Sequence, residues 1–276
     1  MRLKLKPSRQ DWDNYLEFQD LVLTNSKHPG DITHNMSQQQ KDNSSKAQGL
    51  PLRLRAVLFD MDGVLYNSMP SHAKAWHRAM AQFGYDLPEE EVYMHEGRTG
   101  SSTVNLVSMR QRGVEETEER IQEIYRVKST LFNEYPPAEP MTGALELLLQ
   151  LKAQGLMILI VTGSGQRSLL DRLNHHFPDI FCRELMVTAF DVKYGKPNPE
   201  PYLMGMQKGN LTPEECIVVE NAPLGVRAAK AAGLFTIAVN TGPLPNSALL
   251  DEGANILYPS MQALSDAWEE LYASRG

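Results

Sequence analysis

A chain of 276 residues, 42% apolar and 22% charged, has the make-up of a globular protein with room for one large domain or a core carrying an insert. Its formal net charge of −7 argues against a nucleic-acid backbone as partner. Cys182 and Cys216 lie too far apart for metal-ligand spacing, and two thiols do not make a disulfide scaffold, which fits a reducing cytoplasm. No apolar run approaches the roughly 20 residues that cross a bilayer, and the N-terminus lacks the apolar centre of a secretory leader.

Residues 1–50 read as a disordered or extraneous tail. The stretch from Met36 to Gly49 is polar and low in complexity, with too little apolar surface to offset its ordering entropy. Trp12 to Leu23 has some helical spacing, and Met36 offers an internal start of translation. Organised sequence begins near Leu52. Ala56 to Phe59 is an apolar run ending at Asp60, the signature of a buried strand. Three amphipathic helices follow, over 72–83, 102–112 and 115–132, uninterrupted by a strand. After Pro136 and Pro137 the pattern alternates. Helices are expected over 144–154, 167–175, 199–208, 224–232 and 261–272. Strands are expected over 157–161, 185–188, 216–219 and 235–239. Such alternation predicts βαβ units, hence an α/β Rossmann-like three-layer core with a parallel sheet over 51–70 and 136–276. The all-helical block over 71–135 is an inserted cap.

In open α/β sheets ligands bind outside the carboxyl ends of the strands, so polar groups at strand exits are the first candidates. Asp60-Met61-Asp62-Gly63 offers two carboxylates with a period of two and a glycine for a sharp turn. It is also what a solvated turn looks like. Thr162-Gly163-Ser164 offers hydroxyls and free amides for phosphate oxygens, or an ordinary strand-to-helix turn. Lys196 is held between Gly195 and Pro197 in a stiff loop, where a solvated lysine is the plain alternative. Glu220-Asn221 ends a buried strand, a place that suits a hard, oxygen-liganded cation.

Taken in order, these four motifs resemble those of the haloacid dehalogenase superfamily, over roughly Leu52 to Gly276. Within it the helical insert is similar to the cap of the β-phosphoglucomutase-like subfamily. The resemblance implies that Asp60 is the nucleophile forming an aspartyl phosphate and that Asp62 is the general acid–base. It implies magnesium on Asp60, the Asp62 carbonyl, Glu220 and Asn221. Thr162, Gly163, Ser164 and Lys196 would stabilise the transferring phosphoryl group, and His72 and Lys128 look like cap positions that the subfamily uses. The expected partner is a small phosphorylated compound, with no membrane or nucleic acid, and a monomer is the default for this architecture.

Two departures bear on the substrate. Many relatives have Glu-Asp where this chain has Glu220-Asn221, and the cap loop His95-Glu96-Gly97-Arg98-Thr99-Gly100 carries a carboxylate where a sugar phosphate favours cations. Joined, they predict that Glu96 supplies charge to the metal site that Asn221 lacks, and that a small substrate is favoured. Inorganic pyrophosphate leads, hydrolysis of a sugar phosphate or a phosphomutase reaction is the alternative, and a catalytically silent binding module is a distant third. His175 and His176 read as surface residues. Trp76, Phe83 and Phe132 read as packing residues of the cap.

Overall fold

Parallel strands are buried on both faces, so their side chains must satisfy two cores at once. The computed structural model, which describes residues 50–51, 53–164 and 172–274, builds six strands among them, the central four buried almost throughout. They are β1 (Ala56–Phe59), β2 (Met157–Val161), β3 (Met186–Val187), β4 (Cys216–Glu220), β5 (Phe235–Val239) and β6 (Ile256–Tyr258). Their order is β3-β2-β1-β4-β5-β6, and every pairing is parallel. The expected α/β class with a parallel sheet is what the chain adopts.

Between β1 and β2 run α1 (Met69–Gln82), α2 (Glu89–Met94), α3 (Gly100–Arg112), α4 (Glu118–Asn133) and α5 (Ala144–Ala153). Further along lie α6 (Leu173–His176), α7 (Glu200–Gly209), α8 (Pro223–Ala231), α9 (Ser247–Leu250) and α10 (Met261–Ala273). Alternate residues along each strand separate the two cores. Val57 and Phe59, Ile158 and Ile160, and Ile217 and Val219 face α5 and α10, where Leu148, Leu151, Leu264 and Trp268 meet them. Leu58, Leu159 and Val218 face the opposite way, toward Tyr202 and Met206 of α7 and Ala228 and Ala229 of α8. A third core, built from Trp76, Met80, Leu87, Val104, Val107 and Ile124, belongs to α1–α4 and the turn between the first two.

Local chemistry sets the helix ends. Thr99 and Thr117 cap α3 and α4 through their hydroxyls, which accept from Ser102 N and Arg120 N. Gly113, at φ 75°, ends α3 in the left-handed region. Three acidic residues, Glu89, Glu90 and Glu91, open α2, where the helix dipole favours negative charge.

The structure corrects several boundaries. The first helix starts at Met69, three residues early, because Pro70 seeds the first turn. Helix α2 was not expected; six residues are too few for a periodic signal. Strand β6 and helix α9 were also missed, both short. Strand β3 holds only Met186 and Val187, after a 3₁₀ turn over Arg183–Leu185. Phe132, expected to pack within the cap, lies against His72 there, with ring centroids 4.2 Å apart, and also joins the cluster that covers one face of the sheet. The calls on residues 1–49 and on most of the helix over 167–175 lie outside the described residues. Among the described residues no helix is long and apolar enough to cross a membrane.

Trp268 closes the core from the C-terminal helix; it is buried, and its indole N–H donates to Gln154 Oε1 at 2.9 Å. Trp268→Ala should therefore lower the unfolding free energy by about 3–5 kcal/mol. The check is the urea midpoint at unchanged m-value; a loss below about 1 kcal/mol would mean that α10 is not integral to the core.

Candidate active site

The sheet order reverses between β1 and β4: the chain steps from β1 outward to β2 and β3, then crosses back to β4. A crevice opens at such a switch point, at the carboxyl ends of the strands. Phe59 lies beside Val219 in register, and Asp60 N donates to Val219 O at 3.1 Å. Asp60 and Glu220 thus leave adjacent strands side by side. Thr162 follows β2 on the other flank, with its N–H bonded to Val187 O at 2.9 Å.

Two buried carboxylates so close need a cation between them. Lys196 provides it. Its ammonium donates to Asp60 Oδ1 at 2.5 Å, Glu220 Oε1 at 2.6 Å and Val161 O at 2.9 Å. Burial pulls the ammonium toward neutrality, but the two carboxylates outweigh it and hold the charge. Burial pushes the Asp60 carboxyl upward; Lys196 pulls it back, while Glu220 and Asp62 push with burial, and the upward direction wins. Glu220, expected among the metal ligands, meets protein donors on both oxygens. Oε1 accepts from Lys196 and from the Tyr202 hydroxyl at 2.8 Å, and Oε2 accepts from the backbone N–H groups of Asn221 at 2.9 Å and Ala222 at 3.2 Å. Burial, then the charges of Glu220 and Asp60, keep the Tyr202 phenol well above its ordinary range, so it stays a donor.

Asp62 lies past the end of β1, where strand geometry has already stopped, and is placed by its partners. Ser68 Oγ donates to Asp62 Oδ1 at 2.6 Å, and His72 Nε2 stands 3.3 Å from the same oxygen. Burial raises Asp62, but His72, Ser68 and Lys128 together hold it below the usual carboxylate range. Lys128 Nζ meets His72 Nδ1 at 2.7 Å, inside a box of Trp76, Tyr125 and Phe132 rings centred 5.4, 5.8 and 5.1 Å away. The acid–base candidate is thus tied to α1 and α4 of the cap through a chain of two side chains.

The cap loop reaches the core from the opposite side. Asn221 Nδ2 donates to both oxygens of Glu96, at 3.0 and 3.1 Å. Burial, then Asp60, pushes Glu96 well above the carboxylate range; Asn221 pulls it back, and Glu220 and Asp62 add to the push. The loop can lie this close because the facing positions lack side chains. A Cβ at Gly163 would stand 2.5 Å from Gly97 O, and one at Gly195 would stand 2.8 Å from Thr99 N. Gly63, at φ 79°, leaves the room that Asn221 occupies.

These groups surround one cavity of about 60 Å³. Asp60, Asp62, Thr162, Gly163 and Ser164 line it from the core. His72, Glu96, Arg98 and Lys128 line it from the cap. Ser164 N donates to Thr162 Oγ1 at 3.0 Å, and Arg98 reaches Ser102 Oγ at 3.0 Å. Lys196 and Glu220 stand behind Asp60, and Asn221 borders a second cavity of about 120 Å³ beside Gly63 and Thr241. Every site residue expected from the sequence falls in this one region. Four residues at the site were read otherwise or passed over. Trp76 and Tyr125 line the cavity, Ser68 holds Asp62, and Tyr202 holds Glu220. Tyr202 gave no separable signal, since an aromatic on the inner face of a helix reads as core.

The residues present suit a hard divalent cation. Asp60, Asp62 and Glu96 bring three buried carboxyl groups to the cavity. Asn221 Oδ1 is buried with no hydrogen-bond partner among the described residues. Among the described residues no three His, Cys, Asp or Glu side chains form a ready cage. The donor set would therefore combine carboxylates with an amide and a backbone carbonyl, oxygen ligands of the kind magnesium takes.

Residues 57–239 match the model of the haloacid dehalogenase-like hydrolases. The chain belongs to that family. It is 36% identical over 190 residues to hexitol phosphatase A of Escherichia coli, covering 68% of this chain and 84% of the relative. It is 31% identical over 227 residues to a phosphorylated carbohydrates phosphatase of Thermotoga maritima, covering 79% of this chain and all of that one. A solved structure described as a candidate β-phosphoglucomutase from Bacteroides vulgatus is 61% identical, with a TM-score of 0.79 over 80% of this chain and 90% of that chain.

Lys128 gives the site a pH signature. Burial lowers its pKa from 10.5 to about 7, against the pull of Asp62. Between those values the unfolded chain binds more protons than the folded one, so stability contributed by this residue rises with pH across the interval. In metal-free protein the gain should be on the order of 2–4 kcal/mol between pH 7 and 10. Urea unfolding of wild type and Lys128→Met at both pH values measures it, and parallel pH dependences in the two proteins would refute the assignment.

Proposed function

We propose that this hydrolase releases phosphate through an aspartyl-phosphate on Asp60, with magnesium as cofactor and inorganic pyrophosphate as the substrate. The carrying observation is the carboxylate of Glu96 seated on the amide of Asn221. A neutral amide stands where many relatives have an acid, and the cap returns a carboxylate to the same spot. Closure and metal binding then act on one group. A compact anion fits beside it with less rearrangement than a sugar phosphate, since the cavity between cap and core is only about 60 Å³.

In this reading the Asp60 carboxylate attacks phosphorus, forming the Asp60–P bond as the bond to the leaving phosphate breaks. Asp62 gives a proton to the leaving oxygen, which requires the anionic substrate to draw that proton onto it against the pull of His72, Ser68 and Lys128, then takes one from the water that attacks the aspartyl phosphate, releasing the second phosphate. Thr162, Ser164 and Lys196 stabilise charge on the phosphoryl oxygens. Asp60, the Asp62 carbonyl, Asn221 and Glu96 would hold magnesium, which when bound offsets the repulsion between nucleophile and anionic substrate. The cap excludes water while His72 and Lys128 hold Asp62 in position.

The relatives favour a second reading, in which the same site takes a sugar phosphate, by hydrolysis or by mutase chemistry. Phosphate release from pyrophosphate, hexitol phosphates and β-glucose 1-phosphate, with Asp60→Asn as the blank, separates them. A preference for pyrophosphate of at least tenfold in kcat/KM is expected. Conversion of β-glucose 1-phosphate to glucose 6-phosphate without phosphate release would establish the mutase instead. Glu96→Ala should cut pyrophosphate turnover by roughly 10²-fold or more and weaken the magnesium requirement; an unchanged magnesium titration would sink the role given to Glu96.

A further inference from the structure

Tyr202 sits on α7, fully buried against Leu58, Leu159, Val161 and Val218. Every contact of its ring could be made by phenylalanine. Its hydroxyl is a different matter: a buried phenol needs an acceptor, and this one donates to Glu220 Oε1 at 2.8 Å, on the side away from the cavity. An ionised carboxylate has about four acceptor sites. Glu220 has four donors: Lys196 and Tyr202 on Oε1, and the Asn221 and Ala222 N–H groups on Oε2. No acceptor site is left for a cation. Glu220 therefore faces Lys196, and Lys196 is shared between Glu220 and Asp60.

Gly225 enforces the same arrangement from below. A Cβ there would stand 1.8 Å from Glu220 Oε1, so the carboxylate is packed against a bare backbone as well as fully bonded. Helix α8, which carries Gly225, and helix α7, which carries Tyr202, together hold one carboxylate in one orientation.

We propose that Tyr202 is a positioning residue: by completing the hydrogen bonds of Glu220 it keeps that carboxylate on Lys196 and off the cation, so that Lys196 stays aimed at Asp60. The proposal rests on the reading of this crevice as a cation-assisted phosphoryl-transfer site. The test is Tyr202→Phe, which keeps the ring and removes the donor. Its pyrophosphate turnover should fall 10- to 100-fold with KM nearly unchanged, the usual cost of losing a partner behind a site residue. Magnesium binding to the substrate-free protein, read by calorimetry, should tighten severalfold, because Glu220 gains a free acceptor. Glu220→Gln is the second variant: it should lower turnover while leaving magnesium binding within about twofold of wild type, the latter a change of under about 0.5 kcal/mol.

Unchanged turnover in Tyr202→Phe would overturn the proposal. So would turnover loss with unchanged or weaker magnesium binding, or a tenfold loss of magnesium binding in Glu220→Gln. Calorimetry needs no substrate. Wild type that binds magnesium but leaves pyrophosphate intact would refute the substrate reading alone, and the comparison of metal affinities would still decide the role of Tyr202.

Discussion

The site depends on one buried ammonium. Lys196 has no exposed side-chain surface, and it lies between the carboxylates of Asp60 and Glu220. Remove that charge and two carboxylates face each other in the dry end of a sheet; replace one carboxylate and the ammonium is left without its counter-ion. Much of the surrounding structure serves to make this pairing tolerable. The parallel sheet brings the ends of β1 and β4 together, the proline-flanked loop delivers the lysine from a third direction, and Val161 O takes its remaining hydrogen bond.

A second layer of organisation runs through the cap. Asp62 answers to α1 and α4 through His72 and Lys128, whereas Asn221 answers to the 95–100 loop through Glu96. The two halves of the candidate chemistry, proton transfer and cation binding, are therefore each tied to a separate contact with the same helical insert. Movement of that insert acts on both together, which is a structural reason for chemistry to wait for closure.

The core of this arrangement was legible in the sequence because it sits where physics leaves few alternatives. Polar residues at the ends of buried strands stand out against apolar runs, and four such exits in βα alternation specify one crevice. The Glu96–Asn221 pairing was legible as a mismatch of charge. What escaped is of two kinds. Short elements such as α2, α9 and β6 carry too few residues for periodicity and owe their form to neighbours. Residues such as Tyr202 and Ser68 act through a single atom on an otherwise ordinary side chain. No pattern of hydropathy separates a packing phenol from one whose hydroxyl orients a carboxylate; only the third dimension does.

The close approach of cap and core at Gly163 is made of main chain, and at Gly195 of main chain and the Thr99 methyl. A seal of that kind is indifferent to which residues point into the crevice, provided the glycines stay. Substitutions at Arg98 or Trp76 can then reshape what the crevice accepts without reopening that joint. The joint and the selectivity are free to change on separate schedules, which gives a lineage built on this plan a route from one phosphorylated compound to another by single steps.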